Sequence, residues 1–200
     1  MKAQKGIDII GNIAIAKFPY KTSSKEKRKF ARSLLKQNLS IKTVLEKVKG
    51  FSGRLRRQKT KFVAGENTKE ALCRENGCVF RLNVDSCYFS PRLSNERKEI
   101  AGKIKKGNVL VMFAGVGPYS IVIAKNSKAG KVYSIEMNRE ADRYAKLNIE
   151  LNKVKDKVIL LPGDIKMIAK KLRSLQIPQK FEYIVMPRPK TKADFLKDAF

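Results

Sequence analysis

The sequence has no histidine, no tryptophan and only three cysteines. Without an imidazole, the protein cannot use a Ser-His-Asp or Cys-His triad, a histidine general base or a histidine-ligated metal. The spacings of Cys73, Cys78 and Cys87 match no common zinc site. We therefore predict buried thiols in a reducing compartment and no resident metal, with a disulfide between two of the cysteines as the alternative.

Acidic residues and long apolar runs are also scarce. Only 18 aspartates and glutamates stand against 45 lysines and arginines, which gives a formal net charge of +27. No apolar run is long enough for a signal peptide or a membrane span, so we expect a cytoplasmic protein without a membrane partner. The hydrophobic share of 42% is ordinary for a globular protein, so the charge belongs to a folded chain.

The excess of positive charge predicts a polyanionic partner, of which nucleic acid is the first candidate. The segment from Lys21 to Lys61 holds 15 basic and 2 acidic residues. RNA that binds through its phosphates would lose affinity steeply with salt. The alternative is a lysine-rich composition set by genome bias or by life at high temperature, although glutamate does not rise with lysine here.

Residues 1–87 predict a small α+β domain. A stretch rich in β-branched residues contains a turn at Gly11-Asn12 and indicates strands on both sides of it. A basic helix is expected over residues 25–36, with a serine cap at position 23 or 24. More strands should follow, including a hairpin closed by Asn76-Gly77. We interpret this domain as the part that binds and positions RNA.

From residue 91 the pattern changes to alternating apolar strands and amphipathic helices. Strands are predicted at residues 109–113, 131–136, 158–161 and 183–186. Helices are predicted from residue 119 and over residues 139–151, 165–175 and 192–200. Such alternation predicts a parallel sheet with helices on both faces, so residues 88–200 are interpreted as a Rossmann-like α/β domain.

The sharpest motif follows the first of these strands. Residues 113–120 read Phe-Ala-Gly-Val-Gly-Pro-Tyr-Ser, a Gly-x-Gly turn that opens a helix and can hold a ligand with its backbone amides. Glu136 lies 21 residues after Gly115, at the end of the next strand, where a carboxylate accepts ribose hydroxyls. Asp164 follows the third strand and is placed to receive an adenine amino group. These groups predict a nucleoside-containing cofactor at the carboxyl edge of the sheet.

A dinucleotide and S-adenosylmethionine both suit this layout. The dinucleotide fingerprint needs a third glycine, whereas position 120 is serine and no further glycine follows in the turn. The sequence therefore favours S-adenosylmethionine.

Several runs of residues occur together in one order along nearly the whole chain. The longest are Tyr88-Phe89-Ser90-Pro91-Arg92-Leu93, Glu96-Arg97 and Met112-Phe113-Ala114-Gly115-Val116-Gly117-Pro118. Shorter ones are Gly11-Asn12-Ile13-Ala14-Ile15, Ala64-Gly65-Glu66, Glu75-Asn76-Gly77-Cys78 and Leu151-Asn152-Lys153-Val154. Together they resemble the archaeal and eukaryotic tRNA (guanine(37)-N(1))-methyltransferase family. The resemblance implies a class I methyltransferase that moves the methyl group of S-adenosylmethionine to N1 of guanosine 37, in the anticodon stem-loop of tRNA. We expect it to act as a monomer.

The resemblance also implies roles for individual residues. Glu96 would take the N1 proton, and Arg56 and Arg92 would act at the same catalytic site. The residues implied in cofactor binding are Tyr88, Arg97, Phe113, Ala114, Gly115, Gly117, Glu136, Met137, Asp164, Ile165 and Pro187. Alternatives remain: Tyr88 as a core aromatic, the arginines as solvated cations, and Glu96 as the ion-pair partner of Arg92. Arg54 or Arg57 could also replace Arg56 in the register.

Pro187 departs from the family pattern. The chain reads Met186-Pro187-Arg188-Pro189 where family members usually have Asn-Leu-Pro, with the asparagine on the target base. Similar Pro-x-Pro versions occur in an archaeal branch that is thought to methylate both guanosine and a wyosine intermediate, so either target stays open. Transfer of an aminocarboxypropyl group is a further alternative, but relatives with that activity have Phe-Ser-x-Gly-Asn where this chain has Phe-Ser-Pro-Arg-Leu.

The extent of the chain also differs from the family. Relatives often carry an additional N-terminal domain, for which the residues before Ile7 leave no room, and their sheets usually have seven strands. We therefore expect either a shortened form or a sheet that is completed from elsewhere. A non-catalytic RNA-binding protein is the alternative from a different functional class.

Overall fold

The computed structural model describes residues 6–171, 177–178 and 180–187. The chain forms two compact units: unit 1 comprises Met1–Arg74 and Arg81–Pro91, and unit 2 comprises Glu75–Phe80 and Arg92–Phe200. The predicted boundary after residue 87 therefore differs from this division, which lies after residue 91 and also assigns residues 75–80 to unit 2.

Unit 1 is a four-stranded sheet with one helix. In spatial order its strands are β1 (Ile7–Ile10), β2 (Ile13–Ala16), β3 (Thr43–Ser52) and β4 (Arg57–Gly65). Helix α1 (Ser24–Gln37) connects β2 to β3, which is why these two strands run parallel while the other neighbours are antiparallel. The core between helix and sheet contains Ala14, Ala31, Ile41 and Val44.

The Gly11-Asn12 turn packs tightly against the chain at Leu72. Gly11 has a φ of +54°, and a Cβ at this position would lie 2.0 Å from the Leu72 carbonyl oxygen. The Oδ1 of Asn12 accepts a hydrogen bond of 2.8 Å from the Leu72 backbone N–H. The turn thus needs a residue without a Cβ followed by an amide side chain, and the predicted turn is confirmed.

Helix α1 begins at a capping box. The Ser23 hydroxyl accepts a hydrogen bond from the Glu26 backbone N–H, and the Glu26 carboxylate accepts one from the Ser23 backbone N–H. On its inner side, Phe30 meets Phe18 edge to face, with the ring centroids 5.8 Å apart. These interactions fix where the helix starts and which face it buries.

The next two strands form a hairpin, β5 (Glu70–Glu75) and β6 (Cys78–Asn83). Asn76 and Gly77 close it with φ values of 49° and 71°, as the Asn-Gly pair predicts. At the hairpin tip, which belongs to unit 2, the side-chain amide of Asn152 accepts from the N–H of Val79 and donates to its carbonyl, at 2.9 and 2.6 Å. Asn152 therefore pairs with the tip as a neighbouring strand would, which explains why residues 75–80 group with unit 2.

Unit 2 contains a parallel sheet in the order β10-β7-β8-β9. The strands are β7 (Val109–Met112), β8 (Val132–Glu136), β9 (Val158–Pro162) and β10 (Tyr183–Val185). The helices are α2 (Ser94–Lys103), α3 (Pro118–Asn126), α4 (Arg139–Leu151) and α5 (Ile165–Lys171). Every residue of β7 is buried, as expected for a central parallel strand that is apolar on both faces.

The predicted Rossmann-like sheet and its four strands are confirmed. β7 ends at Met112 because Phe113 has a φ of 58°, and α3 begins at Pro118 because proline suits the first helical position. The predicted helix over residues 192–200 and the end of the one over residues 165–175 lie outside the described residues. No described helix is both long and apolar enough to span a membrane.

Candidate active site

The strand order of unit 2 reverses next to β7. The chain runs from β7 outward through β8 and β9, and then returns to the other side of β7 as β10. In open parallel sheets, ligands bind in the crevice beyond the carboxyl ends of the strands at such a reversal. The Gly-x-Gly turn follows β7 and Pro187 follows β10, so two of the predicted site segments lie at this point.

The turn after β7 presents backbone rather than side chains. Phe113, Gly115 and Gly117 all have positive φ values, of 58°, 58° and 84°. This conformation is strained for phenylalanine, and a 2.9 Å hydrogen bond from the Ala114 N–H to the Ile135 carbonyl holds the turn against β8. Gly117 is the N-cap of α3 and has no side chain to cap the helix, so the turn suits a ligand with hydrogen-bond acceptors.

Glu136 at the end of β8 points back to this turn. Its Oε2 accepts a hydrogen bond of 2.7 Å from the Gly115 N–H, and its Oε1 accepts one of 2.7 Å from the Asn138 N–H. Burial raises the pKa of the Glu136 carboxyl, and the backbone hydrogen bonds oppose that rise. A carboxylate has about four acceptor positions, so lone pairs remain for the two hydroxyls of a ribose. Met137 follows it and is half-buried.

Asp164 lies at the end of the neighbouring strand β9. Its Oδ1 accepts a 3.1 Å hydrogen bond from the Lys166 N–H at the start of α5, and Ile165 beside it is buried. Because β7, β8 and β9 are parallel neighbours, the glycine turn, Glu136 and Asp164 share one edge of the sheet. Two carboxylates at one sheet edge fit the hydroxyls and the amino group of an adenosine moiety.

Glu96 on α2 is held by a tyrosine that the sequence analysis did not single out. The Tyr119 hydroxyl on α3 donates a short hydrogen bond to Oε1 of Glu96. Burial, followed by this bond, raises the pKa of the Tyr119 hydroxyl, so it stays protonated and remains a donor. The second carboxylate oxygen, Oε2, receives no hydrogen bond from a described residue.

The Tyr119 ring in turn rests on a buried ion pair. The Arg97 guanidinium lies 5.5 Å from the centre of the Tyr119 ring and makes two hydrogen bonds, of 2.5 and 2.6 Å, to the Glu75 carboxylate. Arg97 is only 1% exposed. The structure thus gives Arg97 a supporting position under Tyr119, and its implied contact with the cofactor stays a prediction.

A cavity of about 450 Å³ opens beside Glu96 and Tyr119. Its other walls come from α2 and from the end of β10, including Ile100, Met186 and Pro187. Two carboxylates, Glu96 and Glu182, and one lysine, Lys103, also line it. A pocket with apolar walls and a few polar groups suits a flat group such as a nucleobase.

Arg92 lies outside this network. It is exposed in a 3₁₀ turn, Pro91–Leu93, immediately before α2. Glu96 is held by Tyr119, and the described residues show no ion pair between Glu96 and Arg92. The catalytic role implied for Arg92 stays a prediction.

Unit 1 contains the remaining two predicted residues, Arg56 and Tyr88, which contact each other. The Arg56 guanidinium lies 5.2 Å from the ring centre of Tyr88 and 5.8 Å from that of Phe51. The two rings meet at 76° with their centroids 4.9 Å apart. Arg56 has a φ of 51°, unusual for a residue other than glycine, and its buried Nε has no hydrogen-bond partner among the described residues. An unsatisfied donor on a strained turn marks a candidate binding position.

Tyr119, Glu75 and Phe51 were missed for the same reason. Tyr119 and Glu96 are 23 positions apart, and Glu75 and Arg97 are 22 apart, so only the packing of the elements brings them together. The one local signal was the tyrosine directly after the Gly-x-Gly-Pro turn, in the first turn of a helix at the strand reversal.

The cysteines are buried and free, as predicted. Burial raises the pKa of the Cys78 thiol, which disfavours a reactive thiolate. The described part of the chain contains no cluster of three His, Cys, Asp or Glu residues that could hold a metal ion.

Comparison with known proteins identifies relatives of the whole chain. A family profile described as "TRM5/TYW2 methyltransferase domain" matches residues 71–200. The tRNA (guanine(37)-N(1))-methyltransferase Trm5b of Pyrococcus abyssi is 38% identical over 96% of this chain. The tRNA (guanine(37)-N(1))/4-demethylwyosine(37)-methyltransferase Taw22 of Nanoarchaeum equitans is 41% identical over 84% of it. The chain covers 54% of the length of each of these two relatives.

A solved structure has the same fold. The structure of Methanocaldococcus jannaschii Trm5 in complex with adenosine matches with a TM-score of 0.79 and 29% identity. The match covers 98% of this chain and 56% of the other.

Proposed function

Because the chain belongs to the TRM5/TYW2 methyltransferase family, we propose that it transfers the methyl group of S-adenosylmethionine to N1 of guanosine 37 in tRNA. The observation that carries this proposal is the Glu96 carboxylate, which lines the cavity and which Tyr119 holds through one oxygen, while the other accepts no hydrogen bond from a described residue. The names of the two relatives support the choice of tRNA and of the guanine N1 atom.

The reaction needs a methyl donor and a proton acceptor. When bound, S-adenosylmethionine supplies an electrophilic methyl group, and its sulfonium becomes a neutral thioether as the methyl leaves. The guanine N1 atom forms the new bond and loses its proton. Oε2 of Glu96 would accept this proton, because Oε1 is already engaged by Tyr119.

The Gly-x-Gly edge of unit 2 would hold the cofactor. The turn at residues 113–117 would let the cofactor approach the backbone closely, and its Gly115 N–H holds Glu136 in place. Glu136 would accept the ribose hydroxyls, and Asp164 would accept the adenine amino group. The adenosine in the M. jannaschii structure supports a nucleoside at a site of this kind. Met137 and Ile165 would line the adenine, and Pro187 would close the pocket beside the target base.

Arg56 would supply positive charge to the guanine O6 atom. Negative charge develops on O6 as N1 loses its proton, and a guanidinium placed there stabilises that charge. The unsatisfied Nε and the rings of Phe51 and Tyr88, which hold the guanidinium, support this role. We also propose that the protein is cytoplasmic and that it acts as a monomer on the anticodon stem-loop.

A wyosine intermediate is the second candidate target. Pro187 stands where most of the family has an asparagine that touches the base, and proline offers no amide to read the guanine edge. The name of the N. equitans relative includes both guanine and 4-demethylwyosine, which supports a pocket that accepts both bases.

The test is methyl transfer from radiolabelled S-adenosylmethionine to tRNA transcripts that carry guanosine or adenosine at position 37. We expect incorporation only with guanosine, and N1-methylguanosine as the product in nucleoside mass spectrometry. Equal incorporation into both transcripts would contradict the proposal. A product heavier by an aminocarboxypropyl group would instead identify the alternative transfer reaction.

A titration of the cofactor separates an enzyme from a non-catalytic RNA-binding protein. Calorimetry should detect binding of S-adenosylmethionine to the protein in the absence of RNA. RNA binding without any cofactor heat would favour the non-catalytic alternative.

A further inference from the structure

The outer face of α1 carries an unbroken line of positive charge. Its members are all exposed, and each lies three or four residues from at least one other member: Lys25, Arg28, Lys29, Arg32 and Lys36. Residues at these spacings share one side of a helix. At 1.5 Å per residue the line extends about 16 Å along the helix axis. We call these five residues the α1 track.

The α1 track is not neutralised by the described part of the protein. Glu26, the one acid of α1, is held by Ser23 in the capping box. The sixth cation, Lys27, is not part of the track and pairs with Glu46 on β3 at 2.6 Å. None of the five track residues forms an ion pair with a described residue. Like charges at these spacings destabilise a helix, and an anion bound along the track would relieve that repulsion.

A fully exposed aromatic residue stands just before the helix. Tyr20 has a relative exposure of 102% and lies in the segment that leads into α1, close in sequence to Lys17 and Lys21. An open groove of about 830 Å³ also runs along the track, lined by its five cations and Ser33. Cations that follow a backbone, together with an exposed ring on which a base can stack, form the usual surface for unpaired nucleic acid.

We propose that the α1 track binds the sugar-phosphate backbone of the RNA substrate and that Tyr20 stacks on an unpaired base next to it. The choice of RNA rests on the proposed function. An anionic membrane would also attract the cations, but a helix that lies on a membrane turns its apolar face to the lipid. The apolar face of α1 is turned inward instead, where Ala31, Leu34 and Leu35 join the core of unit 1.

The test compares two variants that remove the same residue types from two helices. The α1 variant carries Arg28→Gln, Arg32→Gln and Lys36→Gln. The α4 variant, its matched control, carries Arg139→Gln, Arg143→Gln and Lys146→Gln. Both lose two arginines and one lysine from exposed positions, and glutamine keeps a good helix propensity. Far-ultraviolet circular dichroism and thermal unfolding would verify that both variants fold.

The measurement is the Kd for an unmodified tRNA transcript with guanosine at position 37, without cofactor, over a range of salt concentrations. Each phosphate contact contributes about 0.7 to 0.9 to the log-log salt slope, so the α1 variant should lose about 2 to 3 from its magnitude. At low salt its Kd should rise by about 10- to 100-fold, while the α4 variant stays within about threefold of the parent. Equal losses in both variants, or a loss in neither, would overturn the proposal.

Tyr20 provides a second test that does not depend on charge. Tyr20→Ala should raise the Kd by about fivefold or more, and Tyr20→Phe should keep the parent value because phenylalanine still stacks. An unchanged Kd in Tyr20→Ala would contradict the stacking role. Binding of the parent to phosphatidylserine vesicles, lost in the α1 variant while RNA binding persists, would assign the surface to a membrane and overturn the proposal.

These measurements are separate from those of the proposed function. They need neither cofactor nor turnover, so a parent protein that binds RNA through the α1 track but transfers no methyl group would contradict only the proposed reaction. A protein that methylates guanosine 37 while its α1 variant matches the α4 variant would contradict only the α1 track.

Discussion

The two units differ in the charged groups that form their candidate sites. In unit 2 these are carboxylates at strand ends and beside a cavity, led by Glu96 and Glu136. In unit 1 they are cations, the α1 track and Arg56. Carboxylates accept hydrogen bonds from hydroxyls and base N–H groups, whereas guanidinium and ammonium groups attract phosphates. The functions proposed above therefore place proton transfer and cofactor binding in unit 2 and the binding of the RNA backbone by the α1 track in unit 1.

Helices α1 and α4 are both amphipathic, but they differ in the charges on their exposed faces. Helix α1 has six basic residues and one acid, whereas α4 has three of each, including an Arg143–Glu140 ion pair. Both bury an apolar face. The charges on α4 are balanced, whereas like charges on α1 repel one another, and the proposed RNA backbone would relieve that repulsion.

The largest effect should come from Glu96→Gln in unit 2. Loss of the proton acceptor should lower the single-turnover rate of methyl transfer by about 10²- to 10⁴-fold, with the Kd values for tRNA and cofactor nearly unchanged. Glu99→Gln on the same helix is the control, because Glu99 is exposed and forms a surface ion pair with Lys103. A Glu96 variant within threefold of the parent rate would end the general-base assignment.

Arg56 is the exception to this contrast, because it is a residue of unit 1 for which we propose a role in the reaction itself. It lies in unit 1, yet Arg56→Gln should lower the single-turnover rate by about 10²-fold, because it removes charge from O6 in the transition state. Arg57→Gln and Arg54→Gln serve as controls and also settle the register among the three arginines. If one of the neighbours carries the rate effect and Arg56 does not, the assignment passes to that neighbour.

Glu136→Gln should weaken S-adenosylmethionine binding by about 10- to 100-fold, because hydrogen bonds to a charged acceptor are lost. Calorimetry across pH gives a second signature. Burial raises the pKa of Glu136, so as pH falls through that value the parent should lose cofactor affinity, while Glu136→Gln should not.

The raised pKa of Glu136 has the opposite effect on the pH dependence of the unfolding free energy. A raised pKa in the folded state means that the contribution of Glu136 to stability is present at low pH and lost as pH rises through that pKa. Relative to Glu136→Gln, the parent should therefore lose unfolding free energy as pH rises while it gains cofactor affinity. Parallel pH trends in the two measurements would contradict the placement of this carboxylate at the cofactor.

The smallest effect is expected for Tyr119→Phe. Loss of one hydrogen bond that orients Glu96 should lower the single-turnover rate by about tenfold and leave both binding constants unchanged. In the Glu96→Gln variant, Tyr119→Phe should lower the single-turnover rate little further, because the two residues act together. A fully additive loss would show that Tyr119 acts independently of Glu96.

The sequence predicted the parts of this site that depend on local pattern. The Gly-x-Gly turn, Glu136 and Asp164 each follow an apolar strand, so the alternation of strands and helices placed them at one edge. The capping box of α1 and the Asn76-Gly77 hairpin are also local signals. The family resemblance that these motifs carried is confirmed by the profile match.

The rest depends on packing between distant segments. The packing of α2, α3 and the hairpin tip brings Tyr119 to Glu96 and buries Arg97 against Glu75. The resemblance implied that Arg97 binds the cofactor, with a solvated cation as the alternative, and only the fold shows that it is 1% exposed. The positive φ of Arg56 is likewise a property of the turn after β3 and has no signal in its residue type.

One measurement tests the division between the units directly: the single-turnover rate of methyl transfer as a function of tRNA concentration, for Glu96→Gln and for the α1 variant. We predict that Glu96→Gln lowers the plateau by at least about 10²-fold at an unchanged half-saturating concentration. The α1 variant should raise the half-saturating concentration by about 10- to 100-fold and reach the parent plateau. If both variants change the same parameter, the separation of chemistry from RNA affinity is wrong.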